Sequence, residues 1–182
     1  MGNITFKTKF YKIKDWTILR LPEEESAKLP SRGMTMVKGS INNAPFKAML
    51  EPDGRYFPGI GSSHWFRPEK KLLEITHAKA GDIVKVELEP TKEWIEPIIP
   101  ADIKKTLQSS PKADALWADI TPLARWDWVR WVRAVKTKET REKHLQIMLD
   151  KLNKRIRRPC CFNRNLCSEP YVSTNWILSE TA

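Results

Sequence analysis

The sequence has few cysteines, no long apolar run and no recognisable export signal. Its 182 residues include only three cysteines, an odd number clustered near the C-terminus, which excludes a disulfide framework. No hydrophobic stretch approaches the roughly 20 residues that span a bilayer, so we expect no membrane span. From Lys7 onward the N-terminus alternates charged and apolar residues, which is not the pattern of a secretory signal. Together these absences predict a cytoplasmic protein.

The sequence also lacks the common catalytic motifs. No G-x-S-x-G motif occurs, and Gly59-Ile60-Gly61 supplies only half of a phosphate-binding loop. His64 follows Ser63 directly, but neighbours in sequence do not face each other as the members of a catalytic triad must. We therefore predict a protein without enzymatic activity or cofactor. The segment around His64 is expected to be a surface loop at the rim of the barrel. The alternative is a small-substrate enzyme that uses His64 and Trp65.

The formal net charge of +10 is unusual, and it is unevenly distributed. Residues 1–96 hold 16 Lys and Arg against 13 Asp and Glu, a net charge of +3, whereas residues 97–182 hold 16 against 9, a net charge of +7. Such a balance favours anionic partners, among them nucleic acid, an anionic membrane surface or an acidic protein. It is equally compatible with a solvated basic surface.

Residues 1–96 have the alternation of a small β-barrel. The clearest strand is Ile83–Leu88, and turns are predicted at Asn42-Asn43 and at Pro52-Asp53-Gly54. Short helices are expected over Pro22–Lys28 and Pro68–Ile75. The predicted barrel core consists of apolar residues from these strands, namely Val37, Ile41, Phe46, Ile83, Val86 and Leu88.

Residues 97–160 are predicted to be helical, after a proline-rich linker over Glu89–Pro100. Two amphipathic helices within Thr121–Arg158 should form an antiparallel hairpin, with Thr121 as N-cap of the first. Residues 161–182 have no periodicity and are expected to be irregular. The fold class is therefore α+β, with an N-terminal barrel followed by a helical domain and a tail.

Two stretches resemble known families. Residues Arg32–Phe46 resemble the R-x-x-V-x-G-x-I-N-G-x-P-F signature of a small barrel family of unknown function, and Ala80–Val86 matches its later GD-x-V-x-V strand. The helical half resembles the YdeI/OmpD-associated, or bacteriocin-protection, domain, through Trp131 before Ala134-Val135-Lys136, then Glu139-Thr140-Arg141, and Arg157-Arg158-Pro159. The first resemblance implies an AbrB-like double-split barrel. The second implies a binding protein with a role in stress or antimicrobial-peptide tolerance.

One helix offers a candidate ligand-binding surface. On a helical wheel Trp126, Arg130 and Arg133 fall opposite the apolar stripe, and an exposed Trp beside Arg can stack a base or an extended ligand. The partner would be an unknown protein or anionic ligand, with nucleic acid as the alternative. The competing interpretation is that Trp126 packs in the core.

The three cysteines are weak candidates for a metal site. Zinc sites normally need four ligands in paired short spacings, and the adjacent residues Cys160 and Cys161 with Cys167 do not supply them. We therefore predict free or packed thiols and no metal.

Overall fold

The computed structural model describes residues 2–13, 16–53, 63–160 and 169–173. The chain divides into two compact units, one from the N-terminus to Ile95 together with the residues from Tyr171, the other spanning Glu96–Pro170. The strands and helices, in chain order, are β1 Ile4–Ile13, β2 Trp16–Arg20, α1 Glu23–Ala27, β3 Thr35–Ile41, β4 Ala44–Pro52, β5 His64–Phe66, α2 Lys70–Thr76, β6 Ile83–Pro90, α3 Ala101–Gln108, α4 Pro111–Asp119, α5 Pro122–Arg133, α6 Lys138–Asn153 and α7 Pro170–Ser173. The predicted α+β class, with a barrel followed by helices, is confirmed. In the part of the chain that the structure describes, every helix is too short or too polar to traverse a bilayer.

The N-terminal unit is a closed barrel of six antiparallel strands in the order β1-β2-β5-β4-β3-β6. Because side chains alternate along a strand, the first six residues of β6 bury every second side chain in the barrel. In β6 the buried residues are Val84, Val86 and Leu88. Closure pairs the first strand, β1, with the last, β6.

The β3–β4 hairpin turns through Asn42 and Asn43. Both residues have positive φ, 46° and 69°, which is the backbone pattern of a type I′ turn and matches the right-handed twist of the strands. Asn43 occupies the position where the resembling family usually has glycine, and asparagine tolerates the same conformation. The Oδ1 of Asn42 also accepts a 2.9 Å hydrogen bond from the backbone N–H of Lys85, which links the turn to β6.

Most of the predicted barrel core is confirmed, with one error. Val37, Ile41, Val86 and Leu88 are fully buried, and Phe46 packs partly buried against them. Ile83 is 73% exposed, so its place in the predicted core is wrong. Ile83 is the first residue of β6, directly before the buried residue Val84. Because side chains alternate along a strand, Ile83 lies on the outer surface of the barrel.

A second apolar cluster lies on the outer face of the same sheet. It joins Ile13, Ile18 and Trp65 to Val172 of α7, a short helix within the segment expected to be irregular. At this end of the barrel the strands are therefore buried on both faces, which explains why successive residues of β2 and β5 are apolar.

The C-terminal unit contains the helices α3 to α6. Three of them begin at a side-chain cap, since Ser110, Thr121 and Thr137 each accept a hydrogen bond from the backbone N–H three residues on. Proline follows Ser110 and Thr121 at the first helical position, where its missing N–H is not needed. The predicted N-cap at Thr121 is confirmed.

The helices α5 and α6 form the predicted hairpin. Trp128 is fully buried and its Nε1 donates to the carbonyl of Arg157, while Trp131 lies flat on His144 with ring centroids 3.9 Å apart. The earlier residue of α5, Trp128, thus contacts the later partner, Arg157, and the later residue, Trp131, contacts the earlier partner, His144, as in an antiparallel pair. The helix α6 ends at Asn153, so Ile156 lies beyond it and is 40% exposed.

An ion pair connects α3 to α6. The guanidinium of Arg141 donates to both carboxylate oxygens of Asp102, at 2.5 and 3.1 Å. These hydrogen bonds, opposed by partial burial, hold the pKa of Asp102 below its usual range. The pair fixes the first helix of the unit against the last.

Candidate functional site

His64 is a buried residue at the start of β5. Its Nδ1 lies 2.8 Å from the hydroxyl of Ser26 in α1, and its Nε2 lies 2.7 Å from the carbonyl oxygen of Gly33. A carbonyl can only accept, so Nε2 donates to it, and in the neutral tautomer Nδ1 accepts from Ser26. His64 therefore connects β5 to α1 and to the segment that precedes β3.

The expectation of a surface loop around His64 and Trp65 is wrong. Both residues are 1% exposed, and Trp65 packs in the outer cluster with Ile13 and Ile18. The hydroxyl of Ser63 donates to the carbonyl of Leu21 at 2.5 Å, which holds this strand against the end of β2. The error has a physical cause, because strand β5 is buried on both faces and the sequence alone does not show what covers it. In the structure these residues stabilise the barrel.

Replacing His64 by leucine should lower the free energy of unfolding by roughly 2–4 kcal/mol, because two buried polar groups, the Ser26 hydroxyl and the Gly33 carbonyl, lose their partner. His64→Gln, which retains a donor and an acceptor, should recover part of this loss. Urea unfolding monitored by circular dichroism measures both changes. A leucine variant as stable as the wild type would contradict the structural role.

The proposed surface of Trp126, Arg130 and Arg133 is not an exposed face of α5. Arg130 is 1% exposed, and Trp126 and Arg133 are half-buried. The premise that these residues lie on the solvent side is therefore wrong. A helical wheel assumes one buried face, whereas the whole turn from Asp127 to Arg130 is buried.

Charged side chains around α5 compensate one another. Arg133 Nε lies 3.3 Å from a carboxylate oxygen of Glu169, whose side chain is 5% exposed, and Arg158 lies 3.9 Å from the buried carboxylate of Asp127. Buried charges persist in a protein when they are matched in this way. These pairs hold the segments after α6 and before α7 against α5, so they have a structural role.

Cys160 is an exposed residue after α6, and its Sγ is in contact with the Nζ of Lys151. The other two weak metal candidates, Cys161 and Cys167, lie outside the described residues. Within those residues no group of three or more His, Cys, Asp or Glu side chains is placed to hold a metal ion.

A groove opens where strands β1 and β2 separate. Residues 10–13 of β1 pair with β2, whereas residues 4–9 pair only with β6. At the point of separation the hydroxyl of Thr8 donates to the carbonyl of Arg20 at 2.9 Å. Pro22 then turns the chain into α1 and away from β1.

This groove has a volume of about 450 Å³, within the range of small-molecule sites. We call it the β1–β2 groove, and its lining combines three cationic side chains with apolar ones, namely Lys7, Thr8, Lys9, Tyr11, Arg20, Leu21, Pro22 and Ile83. Lys7, Lys9 and Tyr11 occupy alternate positions of β1 and so share its outer face. Ile83 lies directly opposite Lys9 on β6.

The lysines on this face of β1 and β6 do not all have an acidic partner. Lys7 lies directly opposite Lys85, and only Lys85 has an acidic partner, Glu87 at 2.5 Å. Lys7 makes no ion pair with any residue that the structure describes. Lys9 extends over the ring of Tyr11, with its Nζ 5.3 Å from the centroid. Two like charges opposite each other on antiparallel strands repel, so this edge of the groove favours an anion.

Arg20 forms the opposite wall and is held in place by carboxylates. Its guanidinium lies 3.4 Å from both Glu23 and Asp53, and its side chain is 14% exposed. The Nε is buried and has no hydrogen-bond acceptor among the described residues. Arg20 is therefore a fixed and largely charge-compensated part of the lining, and the uncompensated positive charge of the groove lies on β1.

The sequence does not reveal this groove. Alternation over residues 7–11 is typical of a strand, but it does not show that β2 leaves β1 at Arg20. The one signal in the sequence is Ile83, an apolar residue in the exposed phase of β6, which the predicted core wrongly includes.

Comparison with protein families gives a match for each half of the chain. Residues 96–155 match the family described as Bacteriocin-protection, YdeI or OmpD-Associated. Residues 6–88 match a domain of unknown function (DUF1905). No curated protein matches the chain significantly.

The fold and these matches define the class of protein, a chain with a small closed barrel and a set of helices. More specifically, the helical segment is similar to the YdeI/OmpD-associated family and the barrel is similar to the domain of unknown function. Both resemblances found in the sequence are thereby confirmed.

Proposed function

We propose that this protein is a non-enzymatic binding protein whose β1–β2 groove takes up a small organic anion. The observation that carries the proposal is Lys7, a groove-lining cation opposite Lys85 with no ion pair to a described residue. An anion bound there would relieve the repulsion between the two lysines and would also face Lys9 and Arg20. Opposite charge at a concave site raises both the affinity and the association rate.

The family description supports a role in tolerance to antimicrobial peptides. Direct capture of a cationic peptide is disfavoured, because the protein itself has a formal net charge of +10. We propose instead that protection depends on an anionic ligand.

A binding role without catalysis is supported by the position of the Ser–His pair. The side chains of Ser26 and His64 are in hydrogen-bond contact but are 0% and 1% exposed. A catalytic nucleophile has to reach its substrate, and this one is enclosed by the barrel and α1. The groove contains cations and a tyrosine rather than a nucleophile beside a base.

Charge reversal at Lys7 tests the groove. We expect Lys7→Glu to weaken the binding of octyl phosphate about ten-fold in calorimetric titration, because one attraction is lost and one repulsion is added. Lys71→Glu is the matched control, since it makes the same change of net charge at an exposed residue of α2 outside the groove. Equal affinity of the two variants would refute the groove as the site.

Nucleic acid is the alternative ligand, supported by Lys104, Lys105 and Lys112 in the helical unit. These lysines are exposed and form no ion pair with a described residue. Duplex binding would be strongest near 50 mM salt, with log affinity falling by roughly 0.9 per log unit of salt for each phosphate contacted. Lys104→Glu would then weaken it more than Lys7→Glu. We expect no retention of duplex DNA under these conditions.

A further inference from the structure

We infer that the anion taken up by the β1–β2 groove has an aliphatic body, as in a fatty-acid-like carboxylate or an alkyl phosphate. The inference rests on the proposed function, since it assigns the ligand chemistry of the same site. Its basis is that the cations of the groove lie beside apolar side chains that no charged ligand alone would cover.

Ile83 is the apolar side chain that points to this chemistry. It is 73% exposed and lies directly opposite Lys9, and it lines the groove together with Pro22 and Tyr11. Single exposed apolar residues are common on protein surfaces, but a concave apolar surface beside cations is typical of ligand sites. Covering Ile83 would remove apolar surface from water and would stabilise the complex.

The positions of the cations and of Ile83 suit one small molecule. Lys7 and Lys9 are two residues apart on β1, and their β6 partners are Lys85 and Ile83. Neighbouring positions on adjacent strands lie about 5–8 Å apart. A ligand whose anionic head group binds Lys7 would therefore place its alkyl chain over Ile83. The ring of Tyr11 already has the ammonium of Lys9 over it, so the remaining apolar contacts are aliphatic.

An acidic peptide added as an extra strand is the competing occupant. Residues 4–9 of β1 have no second strand neighbour among the described residues, which is what strand addition requires. However, Thr8 is bonded directly to Arg20 across the gap, and an inserted strand would need about 4.8 Å on each side. A small ligand fits this geometry better than a strand.

A homologous series of ligands tests the aliphatic body. On the full chain, inorganic phosphate should bind most weakly, and butyl, hexyl and octyl phosphate should bind progressively tighter, by about four-fold per methylene until the groove is filled. All are used as monomers, below the concentration at which they form micelles. Octanol, which has the chain without the charge, should bind more weakly than octyl phosphate.

Two serine substitutions test whether Ile83 causes the gain in affinity with increasing chain length. Ile83→Ser should reduce the gain in affinity to less than about two-fold per methylene, because the apolar surface that the alkyl chain covers is removed. Ile75→Ser is the matched control, since Ile75 is 54% exposed on α2 and does not line the groove. It should retain the wild-type series.

Each contrary outcome has a distinct meaning. Equal affinity for inorganic and octyl phosphate would overturn the aliphatic body and leave anion binding intact, whereas no binding of any anion would overturn both. Binding of a glutamate-rich peptide that octyl phosphate does not displace would overturn the inference in favour of strand addition. Binding to phosphatidylglycerol vesicles without binding to monomeric octyl phosphate would also overturn it, since the ligand would then be a membrane surface.

Discussion

Replacing Gly39 by alanine should destabilise the barrel by about 3 kcal/mol or more, the upper end of the effect of overpacking. Gly39 lies in β3 opposite Leu88, where the strands β3 and β6 approach closely. A Cβ atom at this position would lie 1.9 Å from the carbonyl oxygen of Glu87 and 2.7 Å from the Cα of Leu88. Both contacts are with backbone, so no side-chain rotation can relieve them and the two strands have to move apart.

The adjacent residue provides the control for Gly39. Ser40→Ala shortens an existing side chain in the same strand and should change the free energy of unfolding by less than about 0.5 kcal/mol. Urea unfolding of both variants measures the difference. If Gly39→Ala were as stable as Ser40→Ala, the close approach of β3 and β6 would be wrong.

Replacing Trp128 by alanine should lower the stability of the helical unit by about 3–5 kcal/mol, the usual effect of removing a buried tryptophan. Trp128 is fully buried and contacts Trp131 edge to face, with ring centroids 5.7 Å apart. Its indole N–H also donates to the carbonyl of Arg157 at 3.1 Å. The substitution therefore removes a large apolar side chain and leaves a backbone acceptor without its partner.

Trp126 allows the same substitution in the same helix at a half-buried position. We expect Trp126→Ala to have a clearly smaller effect than Trp128→Ala, because less apolar surface is lost from the interior. Denaturation followed by helical circular dichroism compares the two variants. Equal losses of stability would contradict the half-buried position of Trp126.

The barrel and the helical hairpin were predictable because their signals are local. Alternation over Ile83–Leu88 and capping at Thr121 are set by neighbouring residues in the chain, and so is the positive φ that Asn42 and Asn43 tolerate. Such features need no knowledge of what packs against them. They survive in the structure almost unchanged.

The groove and the buried charges were not predictable from local patterns. Whether Ile83 faces water or the core depends on which alternate residues of β6 face the inside of the barrel. The burial of Arg130 depends on neighbours on every side of α5, and the opening at Arg20 depends on a bond from Thr8, twelve residues away. Sites formed by several strands or helices require the tertiary structure.

The proposed binding site is the β1–β2 groove rather than the helical unit. Mapping backbone amide chemical shifts by NMR during a titration with octyl phosphate tests it most directly. The proposal predicts shifts concentrated at Lys7, Thr8, Lys9, Arg20 and Ile83, with α3 to α6 unaffected. Shifts confined to α5 or to the lysines of α3 and α4 would contradict it.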